Sequence, residues 1–171
     1  MVTPPLHSPA VVEFTRAERI ESAHIVDIVV TDRGGSFESW GDPDRLVIPR
    51  SAIKSLQALP LISTGAADAF DVSDNELALA CASHSAEADH VSMVAAWLER
   101  IGRSESDLEC GSDRPINASA AADALLSGGP TAPIFNCCSG KHTGFLTVAQ
   151  HLGHRSTGYI ERRHPVQQLV E

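Results

Sequence analysis

The spacing of apolar residues changes period once, near residue 49, and that change limits the chain to folds in which strands come first and helices follow. Residues 11–31, VVEFTRAERIESAHIVDIVVT, are rich in β-branched side chains and partly alternate apolar with polar, as strands do. Asp32-Arg33-Gly34-Gly35 reads as a turn into SFESW at 36–40, which points to antiparallel strands. Gly41-Asp42-Pro43-Asp44 reads as a second turn, ahead of a short strand over 46–48. From there the spacing suits helices. SAIKSLQALPLIS predicts one, with Ser51 in its first turn. Ser73 and Glu76 form a capping box opening ELALACAS, and EADHVSMVAAWLERIG is amphipathic and closed by Gly102. Further helices are expected over 117–126, stopping at Gly128-Gly129-Pro130, and along KHTGFLTVAQHLG up to Gly153. The expected class is α+β, antiparallel strands with a helical region.

With 171 residues, 43% of them hydrophobic, the chain can bury a core as one domain. A net charge of −9 argues against a nucleic-acid or anionic-membrane partner, since either selects a basic surface. No window approaches the length of a membrane span and the start lacks a charged region followed by a long apolar core, so a cytoplasmic protein is expected. Cys81, Cys110, Cys137 and Cys138 are few and oddly spaced for a secreted disulfide framework, which favours reduced thiols or metal ligands. There is no internal repeat or low-complexity tract. Pro165 suits a first helical position, and the apolar face opened by Val166, Leu169 and Val170 reaches Glu171 without a cap. Residues 1–171 therefore read as the N-terminal part of a longer, truncated domain.

Of thirteen basic residues only Lys54 and Lys141 are lysine. Arginine cannot act as a base, whereas a desolvated lysine can release its proton near neutral pH, so chemistry is one reason for lysine at these two places. Ser51 stands three residues before Lys54, and on a helix such a pair shares one face about 5–6 Å apart. Near a helix start, backbone N–H groups and the dipole would also favour charge developing on an attacked carbonyl. Ser-x-x-Lys nonetheless recurs by chance about once in a few hundred residues, so it takes its meaning from its company.

A second cluster, Ser83, His84, Ser85 and Glu87, lies at a helix junction, where a serine either caps the next helix or relays a proton to a neighbouring nucleophile. A third, FNCCSGKHTGF, is not a phosphate loop, because Phe135 and His142 stand where that motif wants glycine and a hydroxyl residue. Cys138 and Lys141 alone make an incomplete zinc set. The Ser139-Gly140 turn could instead simply open a helix. His24, His90, His151, His154 and His164 lack metal-ligand spacing with one another except the His151/His154 pair, which suits the C-terminal end of a helix.

Taken in order, RIESAH, GD, PRSAIKSLQALPL, ELALACASHSAE, NCCSGKHTGF and HPVQQ resemble the asparaginase II family, the rhizobial-type class, from about Val12 to Glu171. The resemblance implies a fold similar to serine β-lactamases and glutaminases, incomplete here, and hydrolysis of L-asparagine to L-aspartate and ammonia. It implies that Ser51 and Lys54 are nucleophile and base and Ser83 the nearby second serine, leaving open which serine attacks. It also implies a homodimer, and a zinc ion held by Cys138 and Lys141 with a cysteine from a later part of such proteins. Arg50 and His84, beside these residues, are candidates to anchor the substrate carboxylate. Family members tend to carry glycine at Ala86 and asparagine at Cys137, and they are longer than this chain. Another serine hydrolase on the same scaffold, acting on glutamine, an ester or a β-lactam, and an inactive half-length remnant are the alternatives.

Overall fold

A computed structural model describes residues 6, 7, 9–35 and 37–171. The chain divides into two compact units, the first ending at Ile48 and the second spanning Pro49–Glu171. The strands all belong to the first: β1 (Leu6–His7), β2 (Ala10–Arg16), β3 (Arg19–Val26), β4 (Ile28–Thr31) and β5 (Phe37–Trp40). β2 and β3 form an antiparallel hairpin with Arg16 opposite Arg19 and a register shift after Phe14. Ala17 and Glu18 close it with φ of 47° and 64°, the doubly positive turn whose twist matches that of the flanking strands. β5 is the middle strand of a second sheet, antiparallel to β4 and parallel to β1.

The expected turn and strand at 32–40 are present, with Ser36 outside the described residues. The short strand expected over 46–48 is not. Leu46, Val47 and Ile48 are 98%, 71% and 89% exposed on irregular backbone, an apolar run that pairs with no strand among the described residues. Within the described part of the first unit only Ser39 is buried. The hydrophobic core lies in the second unit.

That unit opens with a 3₁₀ turn, Arg50–Ile53, and continues through α1 (Lys54–Gln57), α2 (Leu59–Ser63), α3 (Ala66–Ala69), α4 (Asp74–Cys81), α5 (Ala88–Arg100), α6 (Ala118–Leu126), α7 (Ser139–His151) and α8 (Pro165–Gln168). The single helix expected from Ser51 onward is broken into three pieces, and the break before α2 falls where Pro60, with no N–H to return to the turn before it, sits in the first turn of that helix. The capping box forms as expected: Glu76 N donates to Ser73 Oγ at 3.3 Å and Ser73 N to Glu76 Oε2 at 2.9 Å. α5 and α7 are closed by Gly102 and Gly153, both at φ 69°.

α7 is the central helix, packed by α2, α3, α4, α5 and α8 and buried nearly all round, with Leu146 and Ala149 fully buried. A helix so enclosed has no polar face to show, which fits the weakly amphipathic TGFLTVA run. Its first turn meets α4 at Gly140, where an added Cβ would stand 2.7 Å from Leu79 Cγ and 2.8 Å from the Leu79 carbonyl oxygen. Only glycine lets the two helices approach so closely. That contact sets the start of α7 beside the end of α4, which is where the polar residues of interest gather.

Candidate active site

Lys54 opens α1 and is 1% exposed. A buried amine needs hydrogen-bond partners, and Lys54 Nζ has three: the Ala82 carbonyl at 2.6 Å, Ser83 Oγ at 2.9 Å and the Cys137 carbonyl at 3.3 Å. Two come from the segment that leaves α4 and one from the residue before the cap of α7. Ser83 Oγ in turn donates to Ser51 Oγ at 3.0 Å. Ser51, Ser83 and Lys54 thus form one hydrogen-bonded chain from an exposed hydroxyl to a buried amine, in which the lysine reaches Ser51 through Ser83.

This geometry refines the local expectation. Ser51 stands in a four-residue 3₁₀ turn, not the first turn of a long helix, and so short an array of peptide units carries little aligned dipole. Ser83 caps no helix: Glu87 is the N-cap of α5, with no side-chain cap bond, and Ser85 Oγ donates to Glu87 Oε1 instead.

His84 is 5% exposed, and both its ring nitrogens are engaged. Nδ1 accepts from Ala86 N at 3.1 Å, which assigns the proton to Nε2, 2.8 Å from Ser139 Oγ. Burial, then the nearby charges of His90 and Lys54, push its pKa down to about 4. It is therefore neutral at pH 7. Of the two candidate anchors for a carboxylate, only the exposed Arg50 brings a cation, on a backbone held at φ 49°. Ala86, where the resemblance expects glycine, is buried at φ 58°, so the left-handed bend is kept with a residue that strains to make it.

The third cluster is organised by Asn136. Its Oδ1 accepts from Cys138 N at 2.9 Å while its Nδ2 donates to the Cys110 carbonyl at 3.0 Å, so the turn into α7 is tied at both ends. The Cys137 carbonyl, besides holding Lys54, accepts from His84 N at 3.2 Å. Asn136, Ser139 and the Ala82 and Cys137 carbonyls are parts of the site that the sequence alone did not single out. Asn136 and Ser139 were visible as polar residues flanking the cysteines. The carbonyls carried no signal.

Cys138 caps α7 and Lys141 lies in its first turn. Burial lowers the Lys141 pKa, with the charge of Cys138 opposing and that of Lys54 reinforcing the shift, and its amine lies 5.5 Å from the centre of the Phe145 ring. Lys141 also lines a small cavity of about 270 Å³ with Cys110, His142, Gln57 and Gln167. Two thiols and an amine are donor types that a thiophilic ion takes, although burial and the neighbouring Cys138 hold the Cys137 thiol above its ordinary pKa. Among the described residues, however, no group of three or more His, Cys, Asp or Glu is arranged to hold a metal. All four cysteines are free thiols.

Two of the remaining histidines make ordinary contacts. His151 Nε2 is 3.0 Å from the Thr64 carbonyl, and His164 caps α8 through Nδ1. No helix among the described residues is long and apolar enough to cross a membrane. A search of curated proteins returns no match. The family model for L-asparaginase II matches residues 12–171, and with its pattern extending over both units, the chain belongs to the L-asparaginase II family.

Proposed function

We propose that the chain carries the serine–lysine machinery of an amidohydrolase that converts L-asparagine to L-aspartate and ammonia, on a scaffold of the serine β-lactamase and glutaminase kind. The observation that carries this reading is the chain of contacts from Lys54 Nζ to Ser83 Oγ and on to Ser51 Oγ, 2.9 and 3.0 Å long, in a member of the L-asparaginase II family.

The exposed end of that chain is the nucleophile. With both hydroxyls rotated so that Ser51 donates to Ser83 and Ser83 to the unprotonated amine of Lys54, Ser51 Oγ attacks the side-chain amide carbon as its proton passes to Ser83 and the Ser83 proton passes to Lys54. Collapse of the tetrahedral intermediate breaks the carbon–nitrogen bond as Lys54 returns the proton through Ser83 to the departing ammonia. Water then attacks the Ser51 ester, gives up its proton along the same path, and releases aspartate. The Ala82 and Cys137 carbonyls keep the lysine amine aimed at Ser83 throughout. Arg50 pairs with the substrate carboxylate. His84, neutral, contributes by holding Ser139 and Ala86 in place. Cys138 and Lys141 would hold a zinc ion, which when bound would supply fixed positive charge at the start of α7.

The test is ammonia release from L-asparagine beside glutamine, a simple ester and nitrocefin, together with mass mapping of the acyl group left on the protein by an activated ester. The reading expects asparagine to be preferred and the adduct to sit on Ser51. Turnover unchanged in Ser51→Ala would overturn the assignment of the nucleophile, and preference for the ester or nitrocefin would overturn that of the substrate.

A further inference from the structure

We propose that the open groove between α5 and α6 is a binding site for a linear aliphatic polyamine, a methylene chain carrying two or more ammonium groups. The groove encloses about 860 Å³, within the range of small-molecule sites, and none of Ser51, Lys54 and Ser83 lines it.

The sequence of both helices keeps the groove open. Ala88, Val91, Ser92 and Ala95 line it from α5, while Ala120, Asp123, Ala124 and Ser127 line it from α6 and its C-terminal cap. Each set has the i, i+3, i+4, i+7 spacing of a single helix face. Side chains this small leave the space between the helices unfilled, and the leucines of α6 do not cover it: Leu125 and Leu126 are 66% and 86% exposed. Ala132, Ile134 and Phe135 complete an apolar wall.

Charge then selects the occupant. Glu87, Glu105 and Asp123 bring three carboxylates to the groove, and among the described residues no lysine, arginine or histidine lines it. None of the three forms an ion pair among the described residues. Glu87 Oε1 accepts from Ser85 Oγ at 2.9 Å and Glu105 Oε1 from Ile134 N at 3.1 Å, which steadies two of the carboxylates and leaves each a second oxygen for a ligand. Charges of one sign beside apolar walls concentrate counter-ions. A compact metal ion would meet the carboxylates and waste the wall, whereas a polyamine lays methylenes on the wall and carries ammonium groups to the acids. The site stands or falls apart from the substrate assignment, because its readout is binding and not turnover.

Calorimetric titration of the 171-residue protein with spermidine at low ionic strength tests it, beside octanediol as an uncharged chain of similar length. One spermidine is expected per chain, bound at least tenfold more tightly than octanediol and released as salt rises. Asp123→Asn and Glu87→Gln should each weaken binding about threefold. Ala120→Trp, which fills the groove without changing charge, should weaken it at least tenfold. Glu13→Gln removes the same charge from β2 in the first unit and should leave binding unchanged. No binding overturns the proposal, as does equal weakening by Glu13→Gln or uptake at several weak sites, which would mean general attraction to a chain of net charge −9. A measurement on the unaltered chain guards against a variant that fails to fold. Carbodiimide coupling joins an amine to a carboxylate as the carbodiimide takes up the water released, and it should place spermidine on Glu87, Glu105 or Asp123. Adducts spread over the carboxylates of the first unit likewise overturn it.

Discussion

Ser83 is the residue on which the proposed chemistry turns, because it alone touches both partners, Lys54 at 2.9 Å and Ser51 at 3.0 Å. Removing its hydroxyl leaves the nucleophile and the base in place but without the link between them. Ser83→Ala is expected to lower kcat about 10²- to 10⁴-fold, the usual range for losing positioned proton transfer, with KM little changed. Steady-state ammonia release checks this, and a kcat within a factor of two of the wild-type value would show that the lysine serves Ser51 without it. The side chains of this arrangement could be read from the sequence because Ser-x-x-Lys and Ser83 stand among other ordered motifs. The acceptors that hold Lys54 could not. Every residue has a carbonyl, and only tertiary packing decides that those of Ala82 and Cys137 converge on one amine. The same holds for His84, whose place in sequence beside Ser83 was legible while its burial and neutrality were not.

Among the elements, the α4–α7 contact is the one that assembles the site, since it brings the segment after α4 against the turn before α7. Gly140→Ala would drive a Cβ against the Leu79 backbone as well as its side chain, and backbone cannot rotate away. We expect a loss of about 1–3 kcal/mol in denaturant unfolding, typical of overpacking, with turnover falling further than stability because the Cys137 carbonyl shifts with the helix. The capping box of α4 offers a pH-dependent handle. Burial would raise the Glu76 carboxyl, but the hydrogen bonds from Arg100 and Ser73 and the arginine charge outweigh it and hold the pKa below its ordinary 4.5. A carboxylate favoured in the folded state contributes stability that is complete above its unfolded pKa and disappears as pH falls through the lower folded value. Glu76→Gln should therefore be less stable than the wild-type protein at pH 7 and show a flatter decline below about pH 4.5, measured as the urea midpoint against pH. Helix ends of this sort were legible because Ser73, Glu76, Gly102 and Gly153 act locally. The break at Pro60 was legible in principle too, but apolar periodicity runs through proline without registering the missing N–H.

At the scale of the whole molecule, burial is divided very unequally between the two units. Trp97, Leu146, Tyr159 and the other large buried side chains belong to Pro49–Glu171, whereas in the described part of the first unit Ser39 alone is buried and Phe14, Ile20 and Ile25 are 58%, 59% and 77% exposed. Strand-forming sequence showed itself through β-branched content, which is a property of the backbone's local preference. It could not show which face, if either, would be covered, because covering is decided by whatever packs there. A hairpin with so little buried surface opens at small free-energy cost, while α7 can open only when the core does. Hydrogen exchange on the 171-residue chain at low concentration should then find β2 and β3 amides exchanging at least ~10²-fold faster than those of α7. Equal protection would mean that something covers the hairpin even when the chain is dilute. Protection that instead grows with protein concentration would identify a second copy as the cover and give the homodimer expected from the family resemblance its first physical support.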